Sequence, residues 1–134
     1  MPITRRLCLT RLPLRLLWLA TLLLAVAGCS NAPSDSAVQQ AVQARIQQDL
    51  GKAENAARTL GGDSAVKLLH SLGTPEPSQV TVANIDILDS QSQDDGSYRM
   101  RVRFDTRTPD ASHTSEQTYA LEKTDNGWRA IPSD

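Results

Sequence analysis

The spacing of apolar residues changes once along this chain, at the stiff connector Thr74-Pro75-Glu76-Pro77, and that change restricts the fold most. Before the connector, apolar residues recur every three or four positions, which is the period of one face of a helix. They are Val38, Val42, Ile46, Leu50, Ala53, Ala57 and Leu60. After the connector, apolar and polar residues alternate, which is the period of a strand with one buried face. A helix followed by strands predicts an α+β domain.

The helical part is expected to contain a long helix and a short one. Ser34 to Ser36 supply N-cap residue types, and the pair Gly61-Gly62 is expected to end the long helix. Asp63 can cap a second, short helix that stops at Gly73. The apolar stripe of the long helix runs for about six turns, so we expect one face of the sheet to pack on it.

The strand part is expected to form a four-stranded, mostly antiparallel meander. A change of phase predicts a bulge near Ala83-Asn84. Asp94-Asp95-Gly96 is typical of a turn, Pro109 to Ser112 of a loop, and Asp125-Asn126-Gly127 of a tight hairpin. The element order and the terminal Gly127-Trp128-Arg129 strand resemble the cystatin-like and NTF2-like group, in which a helix lies in a curved sheet. That resemblance implies an architecture and no function.

The N-terminal residues have the organisation of an export signal. The first fifteen residues hold arginines and no acidic residue, and the apolar run 16–26 follows them. This run has about 11 residues, whereas a membrane-spanning helix needs about 20. It ends in Val26-Ala27-Gly28-Cys29, which resembles the lipobox of bacterial lipoproteins.

The lipobox resemblance implies a lipid anchor at Cys29. In that family a diacylglycerol is attached to the cysteine thiol. A peptidase then cleaves the chain just before the cysteine, and it recognises the three preceding residues, here Val26, Ala27 and Gly28. Finally, a fatty acid such as palmitate acylates the new amino terminus. Residues 1–28 would be a removed signal peptide, 29–35 a lipidated tether and 36–132 a single domain. Ser30, where the family's retention signal has Asp, implies the periplasmic face of the outer membrane. The alternatives are a plain secretory signal cleaved near Ala27, and a twin-arginine signal.

Charge and cysteine usage exclude several classes of function. Four of the 14 basic residues and none of the 15 acidic ones lie in residues 1–28, so the part from residue 29 onward carries a net charge of −5. This argues against nucleic-acid binding. Cys8 is in the signal, so once Cys29 is lipidated no disulfide, thiolate nucleophile or cysteine metal site is expected. His70 and His113 lack a zinc-binding spacing. With no catalytic motif found either, we expect no enzyme activity, cofactor or metal.

Alternate residues of one predicted strand form the main candidate for a binding surface. Arg99, Arg101 and Arg103 share one face of it, and Glu116, Thr118 and Glu122 share the corresponding face of the next strand. One interpretation is a solvated face with cross-strand ion pairs. The other is a surface that binds a partner, with Trp128 and Arg129 of the last strand nearby. Trp128 would be exposed in the second interpretation and packed beneath the helix in the first.

These observations favour a non-enzymatic, lipid-anchored module that binds another protein of the cell envelope. An inhibitor or immunity protein and an accessory part of a secretion machine are two versions of this hypothesis. The alternative is a carrier or sensor of a small ligand, with an apolar pocket between helix and sheet. Its lining would be Met100, Phe104, Tyr119 and Leu121. An enzyme would require carboxylates gathered around His113.

Overall fold

The long helix begins where the N-cap signal predicts. A computed structural model describes residues 31–133, in which helix α1 spans Asp35–Ser71. Ser34 is extended, and its Oγ accepts a hydrogen bond from the amide of Ala37 at 3.3 Å. Asp35 stands in the first turn, where a carboxylate is favourable beside the positive end of the helix dipole. Ser34 is therefore the N-cap.

The sheet is a four-stranded antiparallel meander, as predicted. Its strands are β1 (Thr81–Ser92), β2 (Tyr98–Arg107), β3 (Ser112–Thr124) and β4 (Gly127–Pro132), and neighbours in sequence are neighbours in the sheet. The predicted bulge is present, because the register of β1 against β2 shifts between Ala83 and Asp86. Asn84, inside the shift, has a positive φ of 51°. The fold is α+β, with both outer strands as edges.

Helix and sheet meet through the first turns of α1 alone. Val38, Ala41 and Val42 are buried, and Ile46 packs partly against the same cluster. The strands contribute one face each, so that the rest of the core is Val82, Met100, Val102, Phe104, Tyr119, Leu121 and Ala130. The expectation that the six-turn stripe packs on the sheet is wrong beyond this point. Leu60, the last residue of the stripe, is 88% exposed, so the strands of the described residues do not cover that part of α1.

The predicted break at Gly61-Gly62 is a kink inside α1. Gly62 has φ 64° and ψ −156°, a region that in practice only glycine occupies. At Gly61, a β-carbon would lie 2.8 Å from that of Ala65. The separate second helix is not observed, since helical structure resumes directly after these two residues and continues to Ser71. Apart from α1, the described residues hold one helical element, a 3-10 turn at Pro77–Gln79.

The kink reverses the direction of the chain. Glu54 Oε1 lies 3.1 Å from His70 Nε2, although sixteen residues of straight helix would separate them by about 24 Å. We therefore divide α1 into a proximal arm, residues 35–60, and a distal arm, residues 63–71. Gly73, with φ 95°, ends the distal arm as predicted. Its amide bonds to the carbonyl of His70 and that of Thr74 to the carbonyl of Leu69, which is a Schellman motif.

Glutamines of the proximal arm bind the backbone where the chain enters β1. Gln39 Nε2 donates to the carbonyl of Val82 at 2.7 Å, and Gln43 Oε1 accepts from the amide of Val82 at 3.3 Å. One turn further along, Gln47 Nε2 donates to the carbonyl of Val80 at 3.3 Å. These polar side chains fasten the helix to an edge strand, whose backbone groups on that side have no neighbouring strand among residues 31–133.

Candidate functional site

The three predicted arginines form one exposed column on β2. Arg99, Arg101 and Arg103 alternate with buried residues of the same strand, so all three lie on the face of the sheet opposite to the core. We call this exposed side of the sheet the arginine face. The side chains of Arg101 and Arg103 are 55% and 51% exposed. The expectation that these residues share a face is confirmed.

Carboxylates of the neighbouring strands hold two members of this column. Glu116, which pairs with Arg103 in the β2–β3 register, places one oxygen 3.5 Å from Arg101 Nη1 and the other 3.4 Å from Arg103 Nη2. Asp86 of β1 lies 4.0 Å from Arg103 Nη1. Exposed pairs of this kind contribute at most about 1 kcal/mol each to stability. The predicted cross-strand ion pairs are therefore present, and they also orient the guanidinium groups.

Trp128 and Arg129 lie on opposite faces of β4. Arg129 belongs to the arginine face, where its Nη2 is 2.7 Å from Glu122 Oε2. Trp128 points the other way, packs partly buried against the core, and meets Tyr98 edge-on with ring centroids 5.8 Å apart. The arginine face thus includes Arg129 and not Trp128.

The outer edge of β4, which pairs with no other strand of the described part of the chain, offers backbone groups near Trp128. The amide of Ser133 donates to the carbonyl of Thr118 across the β3–β4 ladder. Because hydrogen-bonded pairs alternate along an antiparallel ladder, the backbone groups of Trp128 and Ala130 point away from β3. Pro132 follows them and has no N–H. This edge is the second surface on which sequence-predicted binding residues lie.

A small depression opens beside the arginine column. It has a volume of about 240 Å³ and is lined by Asp89, Gln91, Arg99, Arg101 and Thr118. Guanidinium, carboxylate, amide and hydroxyl groups converge there, all of them groups that bind polar parts of a partner. The side chains lie on three adjacent strands, so the depression is part of the sheet surface.

Asp105 organises the other end of the same face, and sequence reasoning missed it. Thr114 Oγ1 donates to its carboxylate at 2.7 Å and Asn84 Nδ2 at 2.6 Å. These two hydrogen bonds, with a smaller contribution from Arg107, lower the pKa of Asp105 below its usual value. They stabilise the left-handed conformation of Asn84 in the bulge. The cluster forms because Asp105 of β2 pairs with Ala83 of β1 on one side and with Thr114 of β3 on the other. Residue types alone do not reveal this register.

The four residues expected to line an apolar pocket are packed in the core. Met100, Phe104, Tyr119 and Leu121 are each at most 2% exposed. Phe104 and Tyr119 are in ring contact at 6.5 Å, and burial raises the pKa of the Tyr119 phenol. The larger cavities, of about 590 and 450 Å³, are lined instead by residues of α1, the connector and the β2–β3 loop.

The two histidines lie in different environments. His113 is exposed on β3, opposite Thr106 of β2. His70 is mostly buried between Glu54 and the carbonyl of Thr74, a contact that arises from the chain reversal and has no signature in residue spacing. Within residues 31–133, no three or more histidine, cysteine or acidic side chains are grouped so as to hold a metal ion.

The lipobox residues and Cys29 lie outside the described residues, so the anchor remains a prediction. Among the described residues, no helix is both long enough and apolar enough to cross a membrane. No protein-family model matches the chain. No curated protein and no solved structure matches it either.

Proposed function

We propose that this protein is a lipid-anchored, non-enzymatic module that binds another protein of the bacterial cell envelope. Lipid on Cys29 holds it on the periplasmic face of the outer membrane, and the arginine face contacts the partner. The observation that carries the proposal is the column Arg99, Arg101 and Arg103 on a rigid, well-packed sheet. An inhibitor or immunity protein and a secretion accessory both fit this description.

The geometry of the column defines the chemistry of the partner. A guanidinium has five N–H donors, and the carboxylates described above occupy one side of Arg101 and Arg103. Alternate residues of a strand lie about 6.8 Å apart. The partner therefore presents carboxylates at this spacing, as alternate residues of a strand do. Because Glu116 already orients two arginines, less side-chain entropy is lost on binding.

The first experiment tests the anchor. Cells producing the full chain are labelled with an alkyne fatty acid, and the purified protein is examined for label and for the mass of its N-terminal peptide. The wild type and Cys8→Ser should carry the lipid, and Cys29→Ser should not. Cys8→Ser is the matched control, since it removes the other thiol of the chain. Label that persists in Cys29→Ser would exclude this anchor.

The second experiment locates the contact surface in the native cell. A photo-crosslinking residue is placed at Thr118 on the arginine face, at Pro132 at the end of the outer β4 edge, or at Asn55 on α1. A discrete adduct from Thr118 alone supports the arginine face. An adduct from Pro132 alone would transfer the contact to the β4 edge, where an added strand could pair with the backbone groups of Trp128 and Ala130.

Binding of the identified partner is then compared in two triple variants with equal charge change. The first variant combines Arg99→Glu, Arg101→Glu and Arg103→Glu. Its affinity for the partner should be at least tenfold lower, because like charges then face the partner's carboxylates. The control reverses three exposed basic residues of α1: Lys52, Arg58 and Lys67. Equal affinities of the two variants would exclude the arginine column as the binding site.

A further inference from the structure

The distal arm of α1 is attached to the domain with little apolar burial. The core cluster contains no residue between Ile46 and Val82. In the arm, Leu68 is 59% exposed, and Leu72, just beyond its end, is 77% exposed. Val66 and Leu69 are half-buried, so the arm is held partly by these apolar side chains and partly by polar contacts with the proximal arm and the connector.

His70 makes the central polar contact, and both of its partners are hydrogen-bond acceptors. Its Nδ1 lies 2.8 Å from the carbonyl oxygen of Thr74, and its Nε2 lies 3.1 Å from Glu54 Oε1. A neutral imidazole has one N–H and can satisfy one of them, whereas an imidazolium donates to both. The side chains of His70 and Glu54 are 26% and 19% exposed, so this contact is largely shielded from water.

The other charged groups around His70 come from every element packed there. His70 projects into the 590 Å³ cleft, which is lined by charged residues of three segments. They are Glu54 and Arg58 of the proximal arm, Asp63 and Lys67 of the distal arm, and Glu76 of the connector. Arg58 and Asp63 are paired at 3.5 Å. On its other side, His70 shares the 450 Å³ cavity with Glu76 and with Asp110 of the β2–β3 loop. Between about pH 5 and pH 8, imidazole is the side chain whose charge ordinarily changes.

We infer that His70 is a pH-sensitive latch: its imidazolium joins Glu54 to the carbonyl of Thr74 and holds the distal arm closed, and loss of its proton releases the arm. The imidazolium makes both hydrogen bonds. In the neutral imidazole, one nitrogen lone pair faces an acceptor oxygen, and the distal arm separates from the proximal arm. Release opens the cleft and uncovers Val66, which lines it.

Hydrogen exchange of the purified full chain tests this latch. Rates are divided by the intrinsic amide rate at each pH, and the strand β2 serves as an internal reference for the folded state. Protection of residues 63–71 should fall roughly tenfold between about pH 5.5 and about pH 8, the factor that corresponds to losing one charge-assisted hydrogen bond. Protection in β2 should not change.

Three variants separate the latch from a merely structural contact. In His70→Gln the dependence on pH should disappear, while His113→Gln, which removes the exposed histidine of β3, should behave as the wild type. Glu54→Gln should keep the arm protected at high pH, because its amide can donate to the neutral Nε2. Protection of the wild type that does not vary with pH, or an unchanged pH dependence in His70→Gln or Glu54→Gln, would overturn the inference.

Discussion

The two glycines Gly51 and Gly62 provide a test in which one chemical change has opposite consequences. Both lie within α1, and a β-carbon added at either position meets no atom within 4 Å. Gly51 has helical backbone angles, whereas Gly62 has φ 64° and ψ −156°. Alanine at either site therefore changes backbone energetics without a steric clash.

The expected magnitudes follow from those angles. Gly51→Ala should stabilise the fold by up to about 1 kcal/mol, the difference in helix propensity between the two residues. Gly62→Ala should destabilise it by about 1–3 kcal/mol, because an L-residue is strained in that region. The free energies of unfolding of the two variants should thus differ by about 1–4 kcal/mol.

Urea unfolding followed by circular dichroism at 222 nm measures this difference. With a slope of about 1–3 kcal/mol per molar urea, the two midpoints should be separated by about 0.3–4 M. The midpoint of Gly51→Ala should lie above that of the wild type and that of Gly62→Ala below it. A Gly62→Ala variant as stable as the wild type would refute the argument that the reversal of α1 requires glycine.

Three further predictions concern the core and the titrating groups of the sheet. Phe104→Ala should lower the free energy of unfolding by about 3–5 kcal/mol in the same urea assay, because Phe104 is 2% exposed and its removal leaves a cavity. The raised pKa of Tyr119 should make the fold lose stability as the pH rises above about 10, the value in the unfolded chain. Tyr119→Phe should remove that part of the loss in thermal unfolding at alkaline pH. The pKa of Asp105 is lowered in the fold, so its dependence on pH runs the other way. Its contribution to stability should be present above about pH 4 and disappear as the pH falls towards the folded-state pKa. In an acid titration of thermal stability, Asp105→Asn should show a weaker dependence on pH than the wild type, and identical curves would contradict this assignment.

Much of the sheet could be predicted because its signals are local. Turn residues such as Asp125-Asn126-Gly127 and the alternation around Met100 fix strands, hairpins and buried faces within a few neighbouring residues. The arginine face followed from the same alternation. The position of Trp128 against the core also agrees with the period of two along β4.

The helical part was harder to predict because its outcome depends on distant partners. The stripe from Val38 to Leu60 has one continuous period, yet the strands cover only its beginning. The glycine pair signalled a break, but spacing does not state whether a helix stops, bends or folds back on itself. Consequently the contact between Glu54 and His70, and the cluster around Asp105, depend on geometry that no local pattern contains.

The glutamines Gln39, Gln43 and Gln47 have a consequence for how copies of the protein behave when crowded. By occupying backbone groups of Val80 and Val82, they prevent a strand of another molecule from extending the sheet at that end of β1. Their replacement by leucines would preserve a good helix and would leave these groups open to self-assembly into fibrils. The same three side chains therefore hold the helix on the sheet and protect this strand edge from self-association.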